Sequence, residues 1–238
     1  LSLAKLVAVF LLTLVASGWR PRVTGVLHWW LAWSVFTAIT IPDGGDQITA
    51  VITLLLLPLT LTDTRRWHWT GPSATKTTTV QTLIALSSLI MVRIQVASVY
   101  LDSAIGKLGV REWANGTAMY YWLSHPSFGA AGLARSALQP SMRTALGVTM
   151  LTWGTIGFEL LLAAGYLLPP RIRKWLFVSG IVFHIGIGFI MGLMSFGIAM
   201  VGALVLYLAP ISVTSQESTL GQALLPTRIR RSPDCVDA

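Results

Sequence analysis

The stretch "VQTLIALSSLIMVRIQVASVYLDSAIGKLGVREW", Val80 to Trp113, decides how this chain folds. From Val80 to Ser103 it carries only two charged side chains, Arg93 and Asp102, in an otherwise apolar run. A run of that length and character predicts a membrane-crossing helix. The polar residues within it are patterned. Arg93, Tyr100 and Lys107 recur every seven residues, which drifts by only about 20° per heptad and puts them on one stripe. Gln95 and Asp102 form a second stripe, rotated away from the first. Two readings fit this face. In one, Arg93 pairs with a carboxylate on a neighbouring helix while Lys107 snorkels to the membrane surface. In the other, ionisable groups within a span mark a functional site, and Lys107 is a shielded amine with chemistry to do.

Composition supports a membrane setting. The chain has 238 residues, 54% hydrophobic and only 11% charged, with a mean hydropathy of +0.69. Soluble domains carry about 25% charged residues. The formal net charge of +8 would suggest nucleic acid in a soluble protein. Here the positive charges cluster between apolar segments, where membrane topology and anionic lipid account for them and no nucleic-acid partner is expected. A single cysteine, Cys235, excludes an internal disulfide, a CxxC redox pair and a cysteine metal site. The chain opens on Leu1 and enters an apolar run at once; that run ends in "SGWRPR", a stop-transfer flank unlike a signal peptide.

Seven apolar segments are expected: Leu3–Trp19, Gly25–Ile41, Ile48–Thr62, Val80–Ser103, Leu146–Leu168, Trp175–Leu193 and Phe196–Ser212. The third is short and contains Pro58, which predicts a kink or a re-entrant turn. The exits of the odd-numbered segments read "RPR", "DTRRWHW", "RIRK" and "RIRR", whereas the second and sixth exits, "PDGGDQ" and "MSF", lack Lys and Arg. By the positive-inside rule this is a multi-pass protein of the cell membrane with a cytoplasmic C-terminus and an extracytoplasmic loop 104–145. That loop is too long to lack structure and is expected to hold short interfacial helices that lid an outward-facing cavity. The expected fold class is therefore all-α, a polytopic transmembrane bundle of about seven spans at 1–212, followed by a polar, flexible cytoplasmic tail at 213–238.

Further candidates lie in other spans. Glu159 is the one carboxylate of the fifth segment, and a lone buried charge must be paired or neutralised. Arg93 is its expected counter-ion, and a mutually paired structural core is the competing reading. His184 sits mid-span among Gly180, Gly186, Gly188 and Gly192, which allow close helix approach or access for a flat ligand. Asp43 and Asp46 read as a turn at the outer mouth, and His28, Trp29, Trp30 and Trp33 as an interfacial aromatic belt. No HExxH, GxSxG, Walker A, GxGxxG or CxxC occurs, which argues against a zinc protease or a nucleotide-driven pump.

The segment "RIQVASVYLDSAIGKLGVREWANGTAMYYWL" resembles the core of the HTTM family, the membrane domain shared with vitamin K-dependent gamma-carboxylase. The matching positions are Tyr100, Gly106, Lys107, Leu108, Trp113, Gly116, Tyr120 and Tyr121. "FELLLAAGYLLPPRIRKWLFVSGIVFHIGIGFIMGLMSFGIAM" is similar to that family's later helix pair, and "GGDQ" also fits. The resemblance covers roughly Gly25 to Pro210. The run "GWRPR…LHWW…PDGGDQ…LTDTRRWHW" is most similar to the bacterial branch named for sporulation-delaying protein B. The resemblance implies a role in maturing a secreted antimicrobial peptide toxin, with an exported peptide precursor and a maturation protein as partners besides membrane lipid. It also implies that Lys107 is a base acting on a quinone or quinol cofactor. Catalytic groups would be Lys107, Tyr100 and His184, with Arg93, Glu159, Trp113 and Tyr120 binding the cofactor and no metal. A shielded lysine beside another cation would be poised as such a base.

The carboxylase's large soluble domain has no counterpart in these residues, so peptide gamma-carboxylation is not expected. Two rivals stand beside the maturation role. One is a quinol-dependent membrane enzyme with a non-peptide substrate. The other is a non-catalytic or immunity-like membrane subunit whose polar stripe only holds the bundle together.

Overall fold

Helices start where the sequence supplies caps. In a computed structural model, which describes residues 2–70, 78–130 and 132–209, the Asp43 side chain accepts from the backbone N–H groups of Gly45 and Asp46 at 2.7 and 2.9 Å. Asp46 returns a bond to the Asp43 N–H at 3.2 Å, completing a capping box. This launches helix α3, Gly44–Thr62, so the "PDGGDQ" turn is a helix start. Thr78 and Gln81 form the same reciprocal pair at the head of α4, Thr79–Leu108, and Thr144 caps α8, Ala145–Ala163. Before these come α1, Ser2–Ala16, and α2, Pro21–Ala38, and between α4 and α8 lie α5, Arg111–Ala114, α6, Ala118–Ser124, and α7, Gly132–Met142. A 3-10 turn at Gly165–Leu167 leads to α9, Pro170–Met191, and α10, Met194–Leu208.

Each expected apolar segment thus contains a helix, and the described residues are all-α apart from an isolated bridge between Trp19 and Trp67. Four helices, α3, α4, α8 and α9, are long and apolar enough to cross a membrane; α1 and α10 are shorter apolar helices. In α2 the side chains of Arg22, His28 and several tryptophans dilute the apolar character. Helix α3 runs unbroken through Pro58, so it is one helix of 19 residues and makes no re-entrant turn. The loop 104–145 holds the short helices expected of it. The tail 213–238 with Cys235, the end of the seventh segment beyond Ala209, and Lys76 of the third exit fall outside the described residues.

Apolar side chains sort to two places. Val92, Val96, Leu162, Met200, Leu204 and Tyr207 form the main core where α4, α8 and α10 meet. Leu6, Phe10, Ile94, Val182 and Phe189 point outward and are well exposed. An aqueous domain seldom displays so much apolar surface, and lipid is its natural solvent. A second, smaller core of Ala104, Trp113, Ala118 and Ile156 seats α5 and α6 on α4 and α8. There the Met119 N–H donates to the buried Thr152 hydroxyl at 3.2 Å. Helix α10 folds back on α9 after Gly192, whose φ of 72° ends α9 in a left-handed cap. They approach closely at Gly197, where a Cβ would lie 2.8 Å from the His184 carbonyl oxygen.

Two of the basic connections meet at one end of the bundle. The α1–α2 turn is stitched to the α3–α4 connection by Arg20 N–H to the Arg66 carbonyl and His68 N–H to the Gly18 carbonyl, both 2.8 Å. Beside them Arg65 grips Asp63 through Nε at 2.9 Å and Nη2 at 2.6 Å, and caps the carbonyls of His68 and Thr70. Burial pushes the Asp63 carboxyl up, but the Arg65 and His68 bonds outweigh it and hold it down at about 2. Helix α4, about 45 Å long at 1.5 Å per residue, carries the chain from this end to Lys107.

Candidate functional site

Lys107 lies in the last turn of α4, later than an end at Ser103 would place it. That extra length turns its side chain inward. Its Nζ donates to both carboxylate oxygens of Glu159 on α8, at 2.9 and 2.7 Å, and to the Ser103 hydroxyl one turn earlier at 2.5 Å. The side chains are 20% and 11% exposed, so this is a largely buried ion pair. Trp113 of α5 lies over the ammonium, with 5.3 Å from Nζ to the ring centroid. Trp113 from the loop therefore covers one side of Lys107.

The expected partner of Glu159 was Arg93, and the structure corrects this. Arg93 donates from Nη1 to the Tyr166 hydroxyl at 2.6 Å, and its guanidinium stacks over that ring at 4.5 Å. Arg93 and Lys107 share a stripe but stand about 21 Å apart along the axis. A carboxylate on α8 can meet only the cation at its own depth. The neighbour of Lys107 is thus a carboxylate, and the expected cation beside it is absent from this cluster among the described residues.

Tyr100, two turns below Lys107, faces α9. Its hydroxyl and His184 Nε2 are 2.8 Å apart, both residues 2% exposed. The His184 Nδ1 has no hydrogen-bond partner among the described residues. Phe183 and Phe196 pack edge-on against the imidazole.

These two pairs meet at a cavity of about 600 Å³ bounded by α3, α4, α8, α9 and α10. Tyr100, Ser103, Glu159 and His184 line it, with Gln47, Gln95 and Asp102 as further polar groups. Its volume suits a small molecule or a short stretch of peptide. Glu159 is the wall group and Lys107 stands behind it, so a proton taken from a bound molecule would reach the carboxylate first. Tyr120 is not part of this cluster: it is exposed and lines a separate recess of about 250 Å³ with Tyr121 and Arg143. Among the described residues no three His, Cys, Asp or Glu side chains converge as metal ligands would. Asp102 and Gln95 are the second polar stripe of α4, whereas Ser103 and Gln47 escaped notice in the sequence. Ser103 alone had a visible signal, four residues before Lys107 on the same face.

Comparison with known proteins gives two long matches in Bacillus subtilis (strain 168). The chain is 38% identical over 216 residues to the uncharacterized protein YitO, covering 91% of this chain and 70% of YitO. It is 39% identical over 203 residues to sporulation-delaying protein SdpB, covering 85% of this chain and 62% of SdpB. The chain thus spans less than two thirds of SdpB's length. No protein-family model and no solved structure matches it.

Proposed function

This chain belongs to the SdpB-like family of helical membrane proteins, and from that premise we propose that it acts in producing a secreted peptide toxin. The observation carrying this reading is the 39% identity to a sporulation-delaying protein across 85% of the chain. The wider likeness to the HTTM and carboxylase membrane domain belongs to the same proposal. In this reading all seven long helices span the membrane, the basic end faces the cytoplasm and the cavity opens outward under α5–α7. Two features support that layout: the α1–α2 and α3–α4 connections are bonded to each other, and α4 separates them from Lys107 by its full length.

The cavity receives the exported precursor or a maturation cofactor, together with a partner maturation protein. Glu159 and the Tyr100–His184 pair are the groups that touch it, able to accept and pass a proton. Lys107, itself held by the Ser103 hydroxyl, positions Glu159, so Lys107 acts through the carboxylate. Trp113 shields the pair from water. A quinol oxygen would meet the same wall, and quinone co-purifying with the protein but lost in Tyr100→Phe would favour a redox role.

The test is secretion. With Lys107→Met or Glu159→Gln replacing the chromosomal copy, secreted mature peptide, read by mass spectrometry, is expected to fall at least tenfold while membrane abundance stays within twofold. Wild-type secretion from both folded variants would end the reading.

A further inference from the structure

Arg93 and Arg173 lie over the same aromatic ring. The Arg93 guanidinium carbon is 4.5 Å and that of Arg173 5.4 Å from the centroid of Tyr166. Arg93 comes from the middle of α4 and Arg173 from the first turn of α9, where Arg171 and Lys174 are exposed beside it. Two cations held by one ring repel each other, and its quadrupole compensates only part of that. No carboxylate relieves them: among the described residues the acidic ion-pair partners are Asp63 and Glu159, both engaged elsewhere. The Arg93 Nε is buried and finds no acceptor among the described residues. In a helix of a membrane protein, charge left this way calls for a counter-charge from outside the chain.

The ring itself is held firmly. The Tyr166 N–H donates to the Tyr207 hydroxyl at 3.1 Å, and that hydroxyl donates to the Ala163 carbonyl at 2.8 Å. Tyr207 is 1% exposed, so a core side chain fixes the α8–α9 turn. The Tyr166 hydroxyl accepts from Arg93, and its own proton has no acceptor among the described residues. Two guanidinium groups and a phenolic proton, all donors, gather at one exposed ring, and an anion is the partner their chemistry shares. Phosphate oxygens match guanidinium forks in geometry and charge.

We propose that Arg93, Arg173 and Tyr166 form a phosphate-binding site for the headgroup of an anionic phospholipid, distinct from the Glu159 cavity. The lipid would clamp α4 to the α8–α9 turn by bridging the two arginines. This site stands independently of the toxin-production reading, since it shares no residue with the cavity wall.

The experiment uses the full chain in zwitterionic phosphatidylcholine nanodiscs, titrated with phosphatidylglycerol, with retained lipid counted by native mass spectrometry. Phosphatidylglycerol is expected to bind the wild type and raise its thermal midpoint. The double variant Arg93→Gln, Arg173→Gln should bind about tenfold more weakly, while the control Arg111→Gln binds as the wild type does. Where the double variant fails to fold, Tyr166→Phe, which keeps the ring and removes the free proton, should lower affinity by about threefold. A parallel arm adds inorganic phosphate in place of the lipid. Stabilisation by phosphate equal to that by phosphatidylglycerol would assign the site to a soluble anion and overturn the lipid. Equal lipid binding by wild type, double variant and Tyr166→Phe would overturn the site altogether.

Discussion

Replacing Glu159 by Gln leaves the Lys107 ammonium with the Ser103 hydroxyl and, at 3.4 Å, the Ser103 carbonyl. Two opposite charges about 4 Å apart attract by about 4 kcal/mol at the effective dielectric of a protein near its surface. The exposures of 20% and 11% let solvent screen part of this. Removing one partner of a buried pair costs about 3–5 kcal/mol, and the low end applies here. The glutamine carbonyl still accepts one bond, which returns about 1 kcal/mol. Glu159→Gln should therefore destabilise the protein by about 2–3 kcal/mol, and Lys107→Met by a similar amount. The double variant Lys107→Met, Glu159→Leu fills the same space without stranding a charge and should lose less than about 1 kcal/mol. Reversible unfolding in mixed micelles, followed by tryptophan fluorescence, measures all three. If the two single losses simply add in the double variant, the pair is not the coupled unit described here.

Gly197→Ala would place a methyl 2.8 Å from the His184 carbonyl oxygen. It should push α10 off α9 and cost about 1–3 kcal/mol in the same assay, whereas an unchanged midpoint would mean the helices sit further apart. Tyr100→Phe strips a buried imidazole of its one partner among the described residues and should cost about 1–3 kcal/mol. The Asp63 carboxyl is held at about 2 by its bonds to Arg65 and His68, against the upward push of burial. Its folded value is depressed, so its contribution is fully present above about pH 4, the unfolded value, and is lost as pH falls through 2. Hydrogen exchange at Arg65–Thr70 should stay slow from pH 7 to pH 4 after correction for the intrinsic rate. Opening already between pH 6 and pH 5 would contradict this.

The helices were legible in the sequence because their causes are local. Apolar runs set their positions; the caps Asp43–Asp46 and Thr78–Gln81, though equally local, were not recognised, the first pair reading as a turn. The short helices of the 104–145 loop were legible too, from its aromatic and small residues and its length. The shared stripe of Tyr100 and Lys107 followed from helical periodicity alone, and so did the expectation that Glu159 must be paired.

Which cation pairs with Glu159 was decided only in the bundle. Periodicity gives the angle of a side chain about its helix but not the depth at which a neighbouring helix crosses it. Depth put Lys107, 52 residues away in sequence, against Glu159 and sent Arg93 to Tyr166. The same fact separated Tyr120 from the cavity and joined Tyr100 to His184, since α6 packs on α8 while the Tyr100 side chain reaches across to α9. Burial of a charge is a local demand that one sequence position can announce. Its satisfaction is a matter of distance between helices, and only the packed structure holds that information.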